Sequence, residues 1–235
     1  GSSIQLVKVG SGTLVLSGTG IGHAGGTIIS NGAIEISAAG AGRLGPASTS
    51  AVTLNGGTLQ GNFPTHTTVG NAITVGSSGG TLRNMGNDSQ RWTFSADQLS
   101  GSGTLTLAFG SQNTRFVMAS SQAAFTGKWI IDSAGNVNRF VDLNYVSGNG
   151  FGGATGDDAI TFENYAGILI REGLSLGGPS QGITLGSGRA KISVASTSTG
   201  TVAGKISGPS ANSVQFYLDN SNSVMLLANT ANSWA

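Results

Sequence analysis

The sequence has no cysteine, only four prolines and few charged or aromatic residues. Of its 235 residues 9% are charged and 6% are aromatic, and the formal net charge is +1. The lack of cysteine excludes a disulfide scaffold, a thiolate metal site and a cysteine nucleophile. Lysine and arginine occur singly along the chain, so we expect no nucleic-acid partner. No stretch approaches the ~18 consecutive apolar residues of a membrane helix, so we expect no membrane span in this sequence.

Glycine is the most conspicuous residue, with 40 copies, and 38% of the chain is hydrophobic. Short apolar alternations such as Thr13 to Leu16, Thr27 to Ile29 and Ala33 to Ile36 are separated by glycine-rich corners. Alternation with a period of two predicts half-buried strands. Such segments recur every ~8–12 residues, and no window carries a helical stripe. The sequence therefore predicts an all-β protein.

Longer segments also recur. Gly10-Ser-Gly-Thr-Leu-Val-Leu returns as Gly101-Ser-Gly-Thr-Leu-Thr-Leu. The segment Ala51-Val-Thr-Leu resembles Ala159-Ile-Thr-Phe, and Ala72-Ile-Thr-Val resembles Gly182-Ile-Thr-Leu. We interpret residues 1–235 as one domain with a first superrepeat at about 10–100, a second at about 101–207 and a partial third at about 208–235.

An open-ended series of very short strands with glycine, serine and asparagine corners is typical of a β-solenoid. Leucine, isoleucine and valine would stack inside the coil, and threonine, serine and asparagine would face outward. At about 20 residues per rung, the chain would form roughly 11–12 rungs. The exposed strand edges at the two ends of the coil would favour self-association.

Three segments of the chain resemble the sequence pattern of a known family. They are Gly10-Ser-Gly-Thr-Leu-Val-Leu-Ser-Gly-Thr, Ala24-Gly-Gly-Thr-Ile-Ile and Asn55-Gly-Gly-Thr-Leu. They are similar to the passenger-associated strand repeat of bacterial autotransporters. The pattern departs from that family at Gly20 to His23 and at Gly127 to Trp129. The resemblance implies a right-handed parallel β-helix, exported across the outer membrane of a Gram-negative bacterium to the cell surface or the medium. It also implies a structural or adhesive role, as a rigid stalk or a binding surface.

Two stretches depart most from the repeat and are candidates for a specific activity. The first runs from Arg83 to Trp92, and the second from Phe140 to Phe151. An aromatic face beside planar polar groups is typical of a sugar site, so we predict a glycan or a host receptor as ligand. The alternative is a purely structural role, in which Trp92 and Phe94 point inward as core residues beside a solvated loop. The predicted ligand-binding residues are Arg83, Asn84, Asp88, Arg91 and Trp92.

A carbohydrate-active β-helix enzyme, either a polysaccharide hydrolase or a lyase, is the alternative function. The adjacent carboxylates Asp157 and Asp158 could supply the acid and base of glycoside hydrolysis. Arg189-Ala-Lys191 resembles the Arg-x-Lys of polygalacturonase-like enzymes, but the Asn-x-Asp and Gly-His-Gly of that family are missing. The pair also falls at a corner where aspartate is a common turn residue. We therefore predict no catalytic residues, and the dispersed acids and the two histidines predict no metal site and no cofactor.

Overall fold

The structure is a computed structural model, and it describes residues 3–18, 23–37, 43–86, 90–110, 114–135, 140–144, 150–171, 173–195, 197–209, 211–219 and 221–229. Within these ranges the chain forms 24 short strands and no helix. The described part accordingly has no helix long and apolar enough to cross a membrane.

The strands form four sheets in which every neighbouring pair is parallel. The five-stranded sheet contains β1 (Leu6–Lys8), β3 (Thr27–Ile29), β5 (Val52–Leu54), β8 (Ile73–Val75) and β11 (Leu99–Gly101), in that order. The nine-stranded sheet contains β2 (Thr13–Leu16), β4 (Ala33–Ile36), β6 (Thr58–Gly61), β9 (Gly80–Asn84), β12 (Leu105–Phe109), β14 (Trp129–Asp132), β16 (Gly156–Glu163), β19 (Gln181–Leu185) and β22 (Ile206–Ser207).

The other two sheets contain seven and three strands. The seven-stranded sheet contains β7 (Thr67–Thr68), β10 (Arg91–Phe94), β13 (Arg115–Met118), β15 (Phe140–Leu143), β17 (Gly167–Ile170), β20 (Arg189–Val194) and β23 (Ser213–Leu218). The three-stranded sheet contains β18 (Ser175–Leu176), β21 (Thr199–Val202) and β24 (Val224–Leu227). Because successive strands along the chain belong to different sheets, the chain coils, and the predicted parallel β-helix is confirmed.

The coil has about eight turns, so the expectation of 11–12 rungs is wrong. In the nine-stranded sheet Thr13 and Ser207 are equivalent positions eight strand pairings apart, so the chain completes eight turns between them. The expected number of residues per turn was too small, because most turns contain three strands and the corners between these strands vary in length. At ~4.8 Å per turn the stacked strands extend over about 40 Å.

The core is a set of columns in which inward side chains from successive turns stack on one another. In the nine-stranded sheet the register places Ile34, Leu59, Leu82, Leu107 and Ile131 in one column, and all five are fully buried. Burying each such side chain contributes roughly 1.5–3 kcal/mol, so the columns are the main source of stability.

Buried asparagine and glutamine side chains form hydrogen bonds with backbone groups at one corner of the coil. Asn71 donates to the carbonyl of Ser50 at 2.7 Å, and Gln98 donates to the carbonyl of Asn71 at 3.0 Å. Gln122, one turn further, accepts from the amide of Leu99 at 2.9 Å. Since an unpaired buried backbone group is costly, this amide column lets an irregular corner remain in the interior.

Candidate functional site

The structure does not gather the predicted ligand-binding residues into one surface. Arg83 is exposed on the outer face of the nine-stranded sheet, whereas Arg91 is half-buried on the outer face of the seven-stranded sheet. Residues 85–90 separate them in the sequence, and Asp88 lies outside the described residues. The two arginines therefore face different sides of the coil.

Asn84 and Trp92 belong to the interior. Trp92 is fully buried, and its ring lies 5.3 Å from that of Phe63 and 5.7 Å from those of Phe94 and Phe116. Asn84 is also fully buried, and its amide donates to the carbonyl of Arg115 at 2.9 Å. The interpretation of Trp92 and Phe94 as core residues is confirmed, and Trp92 offers no open ring face to a sugar.

Asp157 and Asp158 lie within β16 and not in a turn, and the register of that strand shifts by a bulge between Gly156 and Ile160. The Asp158 carboxylate accepts a hydrogen bond from Lys128, and Asp157 lies 3.8 Å from the ammonium of Lys205. The bond to Lys128 holds the pKa of Asp158 below its ordinary value, against a weaker opposing effect of burial. A general acid needs the opposite shift, so this carboxylate is poorly suited to donate a proton.

Arg189 and Lys191 do not join the two aspartates, because they lie in β20 of the seven-stranded sheet. Among the described residues no group of three or more histidine, aspartate or glutamate side chains could hold a metal ion. The structure therefore does not bring Arg189 and Lys191 together with Asp157 and Asp158.

The two long sheets differ in the charge of their outer faces. On and beside the nine-stranded sheet, the described acids outnumber the described bases: Glu35, Asp132, Asp157, Asp158 and Glu163 against Arg83, Lys128 and Lys205. On and beside the seven-stranded sheet the balance is reversed: Arg91, Arg115, Arg171, Arg189 and Lys191 against Asp142 and Asp219. The coil brings together basic residues that are scattered in the sequence.

Asp142 binds two of the arginines on the outer face of the seven-stranded sheet. It is 1% exposed, and Arg171 donates to its two oxygens at 2.7 and 3.0 Å. Arg115 approaches the same carboxylate at 3.6 Å. A two-pronged arginine–carboxylate pair has a fixed geometry, so the guanidinium group of Arg171 is held in place against the sheet.

A pocket of about 110 Å³ opens beside this network. We call it the aromatic–basic pocket; Leu169 contributes to its wall, and its other lining residues are Arg115, Phe140, Lys191, Ser193, Tyr217 and Asp219. The Lys191 ammonium lies 4.4 Å from the centre of the Tyr217 ring and 5.2 Å from that of Phe140. Both distances fall within the range of a cation–π interaction.

A second depression of about 480 Å³ adjoins the aromatic–basic pocket and shares Asp219 with it. Its lining includes Arg171 together with the hydroxyl residues Thr197, Ser198 and Thr199.

Sequence reasoning included Phe140 in a candidate stretch but missed Arg115, Ser193, Tyr217 and Asp219, and it considered Lys191 only as part of an Arg-x-Lys motif. These residues come from strands one to four turns apart, and only the observed register brings them together. A signal exists in the alternation of each strand, which marks Arg115, Lys191 and Tyr217 as outward. The sequence does not show which turn lies next to which.

No family model, curated protein or solved structure matches the chain. The function must therefore be inferred from the coil and its surfaces.

Proposed function

We propose that this chain is a rigid β-helical segment of an exported bacterial surface protein, serving as a stalk and as a binding surface. The observation that carries the proposal is the nine-stranded sheet, in which every turn pairs in parallel with the next. A continuous ladder over a stacked aliphatic core resists local opening, since each turn is held by the turns on both sides. The resemblance of Gly10 to Gln60 to the autotransporter passenger repeat supports export.

A second candidate function, recognition of a glycan or receptor, is favoured by a specific observation. The aromatic–basic pocket combines two aromatic rings, a lysine and a buried hydroxyl on one outer face. Few ordinary surface positions carry such a convergence of aromatic and polar groups. The chain can serve as both stalk and binding surface, because the pocket is formed by outward side chains and leaves the core of the coil unchanged.

Two measurements test the role as an exported stalk. An antibody raised against the purified chain should label intact cells of the source bacterium or detect the protein in its medium. The purified chain should also persist in proteinase K long after a flexible protein of similar size is digested. Labelling that appears only after the cells are permeabilised would refute export, and rapid digestion of the whole coil would refute the stalk.

A further inference from the structure

We propose that the aromatic–basic pocket binds an acidic saccharide, meaning a hydroxyl-rich sugar that carries a carboxylate. This inference rests on the proposed role of the chain as a binding surface and names the ligand of that surface. Four groups of the pocket suit such a ligand: a free cation, an unpaired buried hydroxyl, an accessible ring and an acceptor for sugar hydroxyls.

The cation is Lys191. Its ammonium is held over Phe140 and Tyr217, and none of the ion pairs found among the described residues involves it. The register places Gly167 between Phe140 and Lys191 on the outer face, so no side chain separates the ring from the ammonium. A lysine fixed by aromatic rings and free of a carboxylate is a ready partner for an anionic group.

The buried hydroxyl is that of Ser193. The residue is 3% exposed and lines the pocket, and its hydroxyl oxygen has no hydrogen-bond partner in the described structure. A buried hydroxyl normally has a partner, because leaving it unpaired is unfavourable. A ligand oxygen in the pocket would supply that partner.

The remaining groups select a sugar over other anions. Tyr217 is 44% exposed, so part of its ring can contact the apolar face of a sugar. The exposed carboxylate of Asp219, which also lines the pocket, can accept hydrogen bonds from sugar hydroxyls. Arg115 is already shared with Asp142, so Lys191 is the one cation among the described lining residues that has no ion pair.

The test is calorimetric titration of the full chain with oligogalacturonate at low salt. The matched ligand control is the methyl ester of the same oligosaccharide, which keeps the sugar and loses the charge. We expect the acid to bind and the ester to bind at least about tenfold more weakly, a difference of about 1.4 kcal/mol. Dextran sulfate and a DNA duplex of equal charge test whether charge alone suffices, and we expect both to bind more weakly than the acid.

Variants assign the binding to the pocket. Lys191→Met keeps the aliphatic stem and removes the charge, and we expect it to weaken binding at least about tenfold. Ser193→Ala and Tyr217→Ala should each weaken it by a smaller factor. Arg189→Met, an exposed arginine on the same strand outside the pocket, is the matched control and should change the affinity less than about twofold. A far-UV spectrum and a melting curve confirm that each variant is folded.

Several results would overturn the proposal: no binding by the folded wild-type chain, equal binding of acid and ester, DNA or dextran sulfate binding as tightly as the acid, or an unchanged affinity in Lys191→Met. Each of these leaves the stalk intact, because surface labelling and protease resistance do not depend on a ligand. A chain that binds the acid but never reaches the cell surface would instead refute the proposed function.

Discussion

At the scale of single residues, the ion pair of Asp158 and Lys128 shows what a neighbouring cation does to an exposed carboxylate. About half of each side chain is exposed, so water screens the pair and its contribution to stability is below about 1 kcal/mol. The hydrogen bond from Lys128 nevertheless lowers the pKa of Asp158. The carboxylate is therefore ionised at neutral pH and in mildly acidic solution.

We predict that Lys128→Met raises the pKa of Asp158 toward its ordinary value, measured by NMR titration of the carboxyl carbon. Because the pKa of Asp158 is lowered in the folded state, the stabilisation is present above the unfolded-state pKa and is lost as the pH falls through the folded-state pKa. The small loss of stability in Lys128→Met should thus be seen at pH 7 and vanish in acid. Arg83→Met, a change on the same sheet, should leave the titration of Asp158 as it is. An unaltered titration in Lys128→Met would contradict the assignment.

The candidate site was only partly predictable at this scale. The alternation of β10 indicates that Trp92 and Phe94 lie inside, so the sequence favours a core role for Trp92 over a sugar-binding one. Lys191 and Phe140 meet across two turns of unequal length, because Phe140 pairs with Gly167 and Gly167 with Lys191. The sequence separation between paired residues differs from turn to turn because the corners differ in length. The corners have no alternation of apolar residues, so the register of the strands cannot be predicted from them.

At the scale of elements, two copies of one motif differ in what surrounds them. Gly12 and Gly103 each end a Gly-Ser-Gly segment that leads into a strand of the nine-stranded sheet. A Cβ at Gly12 would meet nothing, whereas a Cβ at Gly103 would overlap the carbonyl oxygen of Gly76 in the preceding turn. Neither glycine has a positive φ, so close packing alone distinguishes them.

We predict that Gly103→Ala lowers the free energy of unfolding by at least about 2 kcal/mol, since the added methyl group pushes two turns apart. Gly12→Ala should leave the free energy unchanged or raise it by up to about 1 kcal/mol, because it restricts only the unfolded chain. Urea unfolding followed by circular dichroism measures both. Similar losses in the two variants would mean that the contact with Gly76 is not what requires glycine at position 103.

Individual strands were predictable, but their sheets were not. The alternations predict strands at Thr27 to Ile29 and at Ala33 to Ile36, and the structure has strands at those bounds. The superrepeat pairs Ala51-Val-Thr-Leu with Ala159-Ile-Thr-Phe, yet β5 lies in the five-stranded sheet and β16 in the nine-stranded sheet. An apolar–threonine–apolar triplet suits any side of the coil, so similarity between triplets does not identify the sheet.

At the scale of the whole molecule, the last described turn of the coil exposes side chains whose equivalents are buried in the preceding turn. Phe216, Leu218 and Leu227 continue the inward columns, but they are 37%, 45% and 48% exposed because no further strand of the described chain covers β23 and β24. In the preceding turn the equivalent residues Ile192 and Val194 are fully buried. An apolar end surface beside an unpaired strand edge favours the addition of another strand.

We therefore predict that the purified chain associates end to end, and that Leu218→Lys suppresses this by placing a charge in the exposed end of the core. Gln215→Lys is the matched control, because it adds the same charge to the same strand on an outward, exposed position. Sedimentation velocity at increasing protein concentration should show a rising average mass for the wild-type chain and for Gln215→Lys, and a constant monomer mass for Leu218→Lys. A wild-type chain that stays monomeric would contradict association, and equal association of both variants would place the contact elsewhere than on the open end of the core.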